Sequence, residues 1–324
     1  MTKLNYIPVL LHSHTQHSDG HFTSEELLMS AKLFGYKAIF ITDHNTDAAL
    51  DEVYENNLDK KIIPVYYGIE WTTFYGHMLI LASKDAGNYT RASLTNMEEI
   101  INEIKKENPQ AIFSINHPFD MGNPICTGCH YEFNIKDYSK FAYIELINGE
   151  NSEDSKATKL AYKFWKKLLD EGYSLAALAG RDWHLKSRDD DTVPINMIGI
   201  NGPISEDNII DAIRNNRSYI SYGPILNIEM GDTQLGGQIP PGDFRARLSI
   251  EKGDFKNTDY IELIPEKLLV FNNNNLVFEK EISYNKDISL DIFAKEGYIR
   301  FEILGKMKDK DNIRLLITSV IFVR

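Results

Sequence analysis

From Val9 to about Tyr222, short apolar runs alternate with amphipathic stretches of helical period, and this alternation restricts the chain more than any other feature. The runs are "VLLHSH", "KAIFITDH", "KIIPVYYGIE", "GHMLILA", "QAIFSINHP", "FAYIELING", "YSLAALAGRDWH" and "MIGING". Between them, "ELLMSAKLF", "DAALDEVYENN", "NMEEIINEIKKE", "SKATKLAYKFWKKLLDE" and "SEDNIIDAIRNN" carry apolar residues at three- and four-residue spacing, the period of a helix with one buried face. Thr23 and Glu26 have capping-box spacing before the first of these; Gly35 stops it, and Gly172 stops the fourth. Strand and helix in turn, about seven times over, describe a parallel sheet or barrel built from βα units.

After "SYGP" (Ser221 to Pro224) the pattern changes. "LNIEM", "RARLSIEK", "YIELIP", "LLVFNNNN", "LVFEKEIS", "ISLDIFAK", "YIRFEILG" and "IRLLITSVIFVR" are strand-like and separated by Gly, Pro, Asn and Asp, with no long helical stretch. They predict a small antiparallel β-sandwich over residues 225–324, behind a larger α/β domain over 1–224. A chain of 324 residues, 43% hydrophobic and 25% charged, can build both cores.

The formal charge of −12 repels a phosphate backbone, so long nucleic acid is excluded as a partner, while a small anion held by metal ions is not. The opening "MTKLNYIPVLLHSH" is too short in apolar residues for a signal-peptide core or a membrane span, which predicts a cytoplasmic protein with no membrane partner. "CTGCH" (Cys126 to His130) has the spacing of a haem c attachment, but nothing directs export, and two reduced thiols in a surface loop are the expectation. Oligomeric state is not legible here.

"LHSHTQHSDGH" holds four of the nine histidines in eleven residues. Other acids and imidazoles recur at the ends of the apolar runs: His12 and His14 close the first, Asp43 and His44 the second, Glu70 the third, His117 the fifth, Asp182 and His184 the seventh. In a parallel barrel the C-terminal strand ends share one face, where active sites sit. The spacing of two in "HSH" puts both imidazoles on one side of an extended strand, and "DWH" repeats this, with Trp183 on the other side. Asp19 can reach back from the loop. His77 starts its run, and an antiparallel hairpin after "GIEWTTFYGH" would return it to the same face. Six histidines and three carboxylates so arranged predict a multinuclear metal site. His17, His21 and His130 lie in loops and are expected to face solvent, with His17 a minor candidate for substrate contact.

"HSHTQHSDG", "ITDHNT", "GIE", "NHP" and "GRDWH", in this order over residues 12–184, resemble the motifs of the PHP family, named for its polymerase-associated and histidinol-phosphatase members. "GIEWTTFYGHM", "RSYISYGP" and a β-rich tail ending "ITSVIFV" further resemble the CehA-like, carbaryl-hydrolase-like branch. The resemblance implies an α/β fold, a distorted (β/α)₇ barrel followed by a small β-domain, with two or three divalent ions at the C-terminal face. It implies that His12, His14, Glu70 and Asp182 hold one ion, that Glu70 bridges to a second with His77 and His117, and that Asp19, His44 and His184 complete a further position.

Nitrogen and oxygen ligands without thiolate suit Zn²⁺, Mn²⁺ or Fe²⁺. Water between two such ions becomes a nucleophile, and the ions also orient a phosphate ester, so the expected activity is hydrolysis of a small phosphate ester or nucleotide. Arg181 is expected to clamp the phosphate, with Lys186, Arg188 and Arg217 as weaker candidates, and Asp43 to orient His44. Glu145 and Asn148 are candidates to line the site or to serve structurally. The alternative is cleavage of a carboxyl ester, carbamate or amide by the same centre, which would want an apolar slot formed by Trp71, Phe74 and Trp183 rather than Arg181 at the metals. A third reading makes the β-domain a partner- or glycan-binding module on an inactive barrel, against which the full donor set speaks.

Overall fold

The computed structural model describes residues 3–84, 86–121, 130–149, 153–186, 188 and 191–324, leaving the side chain of Asn257 aside. Cys126 and Cys129 lie outside the described residues. The first part runs β1 (Asn5–Leu10), α1 (Ser24–Phe34), β2 (Ala38–Ile41), α2 (Ala48–Glu55), α3 (Leu58–Lys61), β3 (Val65–Thr73), β4 (Gly76–Leu81), α4 (Met97–Glu107), β5 (Ile112–Ile115), β6 (Tyr143–Asn148), α5 (Lys156–Asp170), β7 (Ala176–Gly180), β8 (Ile195–Ile200), α6 (Glu206–Arg214) and β9 (Ser218–Ser221). The capping box forms as its spacing requires: Thr23 Oγ1 accepts from the Glu26 amide, and the Glu26 carboxylate accepts from that of Thr23. Gly35, at φ 117°, ends α1 in the left-handed region that favours glycine. Ser155 and Ser205 cap α5 and α6 in the same manner.

The strands β1 to β7 are consecutive neighbours. Pairing is parallel from β1 to β3 and from β5 to β7, but β4 runs against both its neighbours, β8 is antiparallel to β1, and β9 is antiparallel to β8. The parallel reading is thus corrected at β8 and β9, whereas the antiparallel hairpin of β3 with β4 is found as expected. For β4 the cause is simple, because two residues between Thr73 and Gly76 can make only a hairpin.

The ring closes where Ser13 and Trp183 pair as a parallel bridge, with the His14 amide donating to the Trp183 carbonyl at 3.1 Å. Lower down β8 joins β7 through a side chain, Asn196 donating to and accepting from the Ala179 main chain at 2.7 and 2.8 Å. Ile7, Val9, Phe40, Leu79, Leu81 and Leu178 join Ile209, Ile210 and Ile213 of α6 in one apolar cluster. This is the distorted (β/α)₇ barrel.

The tail holds β10 (Pro224–Met230), β11 (Gln238–Ile239), β12 (Gly242–Lys252), β13 (Leu263–Asn272), β14 (Asn275–Glu281), β15 (Asp287–Ala294), β16 (Gly297–Met307), β17 (Lys310–Thr318) and β18 (Ile321–Val323). One sheet is β10-β12-β15; the other contains β14-β13-β16-β17, with β18 beside β16 and β11 beside β18. Strict alternation along β15 turns Ile288, Leu290 and Ile292 inward, and they share a core with Leu268, Val270, Phe301 and Ile303 of the second sheet, as a β-sandwich requires. Hydrogen bonding does not stop at Pro224. β17 pairs with β9 of the barrel through Leu316 to Thr318, and Ser319 Oγ accepts from the Ala177 amide of β7 at 3.1 Å. Among the described residues no helix is long and apolar enough to cross a membrane.

Candidate metal centre

Glu70 lies within β3, three residues short of its end, and the other expected ligands gather around it from the residues following β1, β2, β5 and β7, with His77 from the start of β4. Its Oε2 stands 3.1 Å from His12 Nε2, 3.4 Å from His14 Nε2 and 3.1 Å from His44 Nδ1; its Oε1 stands 3.3 Å from His77 Nδ1 and 3.2 Å from His117 Nε2. Asp182 Oδ1 approaches His12 and His14 at 3.3 and 3.1 Å. Asp19 Oδ1 lies 3.1 Å from His184 Nε2 and 3.5 Å from His44 Nε2.

Donor atoms fall into three groups, each within 4.8 Å: His12, His14, Glu70 and Asp182; His14, Asp19, His44 and His184; His44, Glu70 and His77. All nine expected ligands come together, the hairpin returning His77 as its spacing suggests. Two details differ from the resemblance. His44 spans two groups, and His117 hydrogen-bonds Glu70 Oε1 instead of joining any of the three.

The local backbone is shaped to this end. His117 and Asp182 have φ of 23° and 48°, conformations a non-glycine residue holds only when its surroundings impose them. At Gly20 the loop folds back so closely that a Cβ would lie 2.4 Å from the His14 carbonyl oxygen, and this return delivers Asp19 to His44 and His184.

His12 Nε2, both ring nitrogens of His14 and Glu70 Oε2 are buried and find no hydrogen-bond partner among the described residues. Yet His12 Nε2 and His14 Nε2 stand 3.1 and 3.4 Å from Glu70 Oε2. Close approach without alignment means that the lone pairs converge on shared points, the arrangement of ligands around a cation; as orphans, such atoms would each be costly. The donor set therefore fits divalent metal ions.

The electrostatics of these side chains agree. Burial alone would lower the His12 pKa, but Glu70, Glu145 and Asp182 outweigh it and raise it well above the usual value. Against the same penalty of burial, Asp19 and Glu70 push His44 up to about 10, and Glu70 pushes His117 up to about 9. For His14 burial wins, and its pKa falls to about 4. Burial would raise Glu70 and Asp182, but the imidazoles hold both well below the usual carboxylate range. The carboxylates draw positive charge into the cluster, as a site for cations requires.

Several supporting residues carried little sequence signal. Asn116 Nδ2 donates to Glu70 Oε1 at 2.7 Å, and Thr72 Oγ1 meets His44 Nδ1. Asn116 could have been noticed beside His117 at its strand end. Asn148 Nδ2 donates to both Asp120 and Asp182 at 3.0 Å. Asp43 differs from its expected catalytic role: its carboxylate accepts from the Thr15 amide, Thr15 Oγ1 and Ser18 Oγ at 2.6–2.7 Å, so it holds the loop leading to Asp19 rather than the His44 ring.

Arg181 is a clear correction. Its guanidinium lies 3.4 Å from the Trp183 ring centre and 4.3 Å from that of Phe34, and Nη1 donates to Tyr36 Oη at 3.3 Å. It shares the side of Trp183, opposite Asp182 and His184, and borders a cavity of about 470 Å³ lined by α1 and residues 181–193 that includes none of the candidate ligands. The weaker candidates are also placed elsewhere: Lys186 borders the same cavity, Arg188 pairs with Asp191, and Arg217 pairs with Asp211. His17 pairs with Glu52 at 2.9 Å, and His21 and His130 are exposed.

Arg181→Met is therefore expected to lower the melting temperature by a few degrees, through loss of a desolvated cation–π stack worth about 2 kcal/mol, with metal content and kcat/KM within about threefold of the parent. A tenfold loss of kcat/KM at unchanged stability would restore its role at the substrate.

Residues 11–142 match the PHP domain model, a span that includes seven of the nine candidate ligands and ends before Asp182 and His184. No curated protein matches the chain. Among solved structures, a two-domain protein from Bacteroides vulgatus, described as containing a predicted PHP-like metal-dependent phosphoesterase, is 15% identical with a TM-score of 0.57, over 98% of this chain and 96% of that one. At that identity the likeness is one of fold, and it extends through the tail. An amidohydrolase from Chromobacterium violaceum, solved with sulfate and no metal, is 16% identical with a TM-score of 0.36, over 55% of this chain and 88% of that one. The ordered motifs and the convergent donors around Glu70 agree with the matched span: residues 11–142 of this chain are those of a PHP domain.

Proposed function

We propose that the protein is a metal-dependent hydrolase of small phosphate esters. The observation that carries this reading is the convergence of nitrogen and oxygen donors on Glu70 in three overlapping groups, with His12 Nε2, the His14 ring nitrogens and Glu70 Oε2 lacking a hydrogen-bond partner among the described residues. In the proposed centre His12, His14, Glu70 and Asp182 hold one ion, Glu70 is shared with a second beside His44 and His77, and Asp19, His44 and His184 face a further position. Zn²⁺, Mn²⁺ and Fe²⁺ all suit such donors. Two or three divalent ions would supply an activated water and neutralise charge on a phosphoryl group.

The protein's own residues set the direction of access. His12, His14 and Glu70 form a buried floor, while Asp19, His44 and His184 retain 59%, 21% and 27% side-chain exposure and form the entrance. With Arg181 elsewhere, substrate charge falls to the ions. Against the three ligand carboxylates and the Glu145 carboxylate beside His12, two divalent ions would leave no net charge and three would leave two positive charges, so a third ion would favour an anionic ester over a neutral carbonyl.

Cleavage of a carboxyl ester or carbamate remains the second reading, because Arg181 does not reach the centre. Its expected apolar slot is not formed, however: Trp71 is buried in the core, Trp183 stacks on Arg181, and Phe74 is 76% exposed. The test is steady-state hydrolysis by the full chain, loaded with Mn²⁺ or Zn²⁺, of phosphate mono- and diesters against carboxyl and carbamate esters. The expected result is a kcat/KM at least tenfold higher on the best phosphate ester; cleavage of the carbonyl substrates alone would replace the first reading by the second.

A further inference from the structure

We infer that Glu145 is a positioning residue that sets two candidate ligands at once, an inference that rests on the metal-centre reading above. It is 1% exposed on β6, in the barrel wall beside the cluster. Its Oε1 lies 2.8 Å from His12 Nδ1, and its Oε2 accepts from the His117 main-chain amide at 3.1 Å. Both neighbours present N–H groups, so the site requires two acceptors. A carboxylate supplies both. With Nδ1 of His12 donating to Glu145, Nε2 is left with its lone pair aimed between Glu70 and Asp182, the tautomer a cation needs. The bond to the amide of His117 holds that residue at its left-handed φ of 23°, where its ring reaches Glu70.

Two independent features of the fold serve this carboxylate. The first is a register shift between Glu145 and Ile147 in the pairing of β6 with β7. In a regular strand residues 145 and 148 face opposite sides; the shift lets Glu145 reach His12 and His117 while Asn148 reaches Asp182 on the same face. The second is Gly180, directly across from Asn148 on β7. A Cβ there would lie 2.6 Å from Glu145 Cδ and Oε1 and 2.7 Å from Asn148 Oδ1. Glycine at 180 leaves the space that the carboxylate occupies.

Glu145→Gln keeps size but offers one acceptor and one donor, so it satisfies either His12 or the His117 amide and opposes the other. Gly180→Ala keeps the carboxylate and displaces it. The readouts are Co²⁺ absorption, Zn²⁺ affinity by chelator competition, and melting temperature in chelator as a control on the fold. Both variants are expected to lose roughly ten- to a hundredfold in Zn²⁺ affinity and to show an altered Co²⁺ spectrum, with a chelated melting temperature near that of the parent. Glu145→Asp, whose shorter arm cannot span both donors, should not rescue. If Glu145→Gln fails to fold, Gly180→Ala decides alone. Parent-like affinity and spectrum in a folded variant overturn the role of Glu145 and leave the metal centre standing, whereas a parent that binds neither ion overturns both.

Discussion

Glu70→Gln is expected to lose nearly all bound metal. One carboxylate oxygen faces His12, His14 and His44, and the other faces His77, His117 and the donating Asn116 amide, so a single side chain joins two of the three donor groups. An amide removes the charge and turns an N–H toward groups that need an acceptor. Removing one partner from a buried ionic cluster costs about 3–5 kcal/mol, or roughly two to three and a half powers of ten in affinity. Elemental analysis after dialysis should find the parent loaded and the variant nearly empty. Full occupancy with normal turnover would remove Glu70 from the centre.

A chain ending at Tyr222 is expected not to yield a soluble folded barrel. The sequence alone predicts that such a chain binds metal if it folds, since residues 225–324 supply none of the candidate ligands, and that the exposed interface favours insolubility. The structure ties the two parts together. Strand β9 would lose its partner β17, the Ala177 amide would lose Ser319, and Tyr219, Ile220 and Tyr222 would be uncovered from a core that they share with Leu315, Ile317 and Val320. Tyr162 of α5 would lose its bond to the buried Glu302, which also pairs with Arg300 and Arg314. Each large apolar side chain uncovered costs about 1.5–3 kcal/mol, against a total stability of about 5–15 kcal/mol for a domain. Circular dichroism of the soluble fraction is the check; a cooperative melt and retained metal in the shortened chain would show that the barrel stands alone.

Local rules explain what could be read in advance. The Thr23–Glu26 box, the Gly35 stop and the paired spacing of "HSH" and "DWH" each depend on neighbours within four residues, and each is found as expected. The same spacing held a signal that went unused: the alternation that turns Asp182 and His184 inward places Arg181 with Trp183, away from the ions. Other features have no local signature. Pairing of β9 with β17 joins residues about a hundred positions apart, and the shift that brings Glu145 and Asn148 onto one face reverses what strand alternation predicts. The loop held by Asp43 depends on which hydroxyls fold over it, which spacing does not specify.

The donors around Glu70 are proposed to hold metal ions. The most direct test is a crystal structure of the full chain loaded with Mn²⁺ or Zn²⁺, with anomalous scattering recorded at the metal edge. Strong peaks are expected within about 2.0–2.3 Å of His12 Nε2, His14, Glu70 Oε2 and Asp182 Oδ1, with at least one more bounded by Asp19, His44 and His184 or by His44, Glu70 and His77. A metal-loaded crystal with no peak among these nine residues would contradict the account.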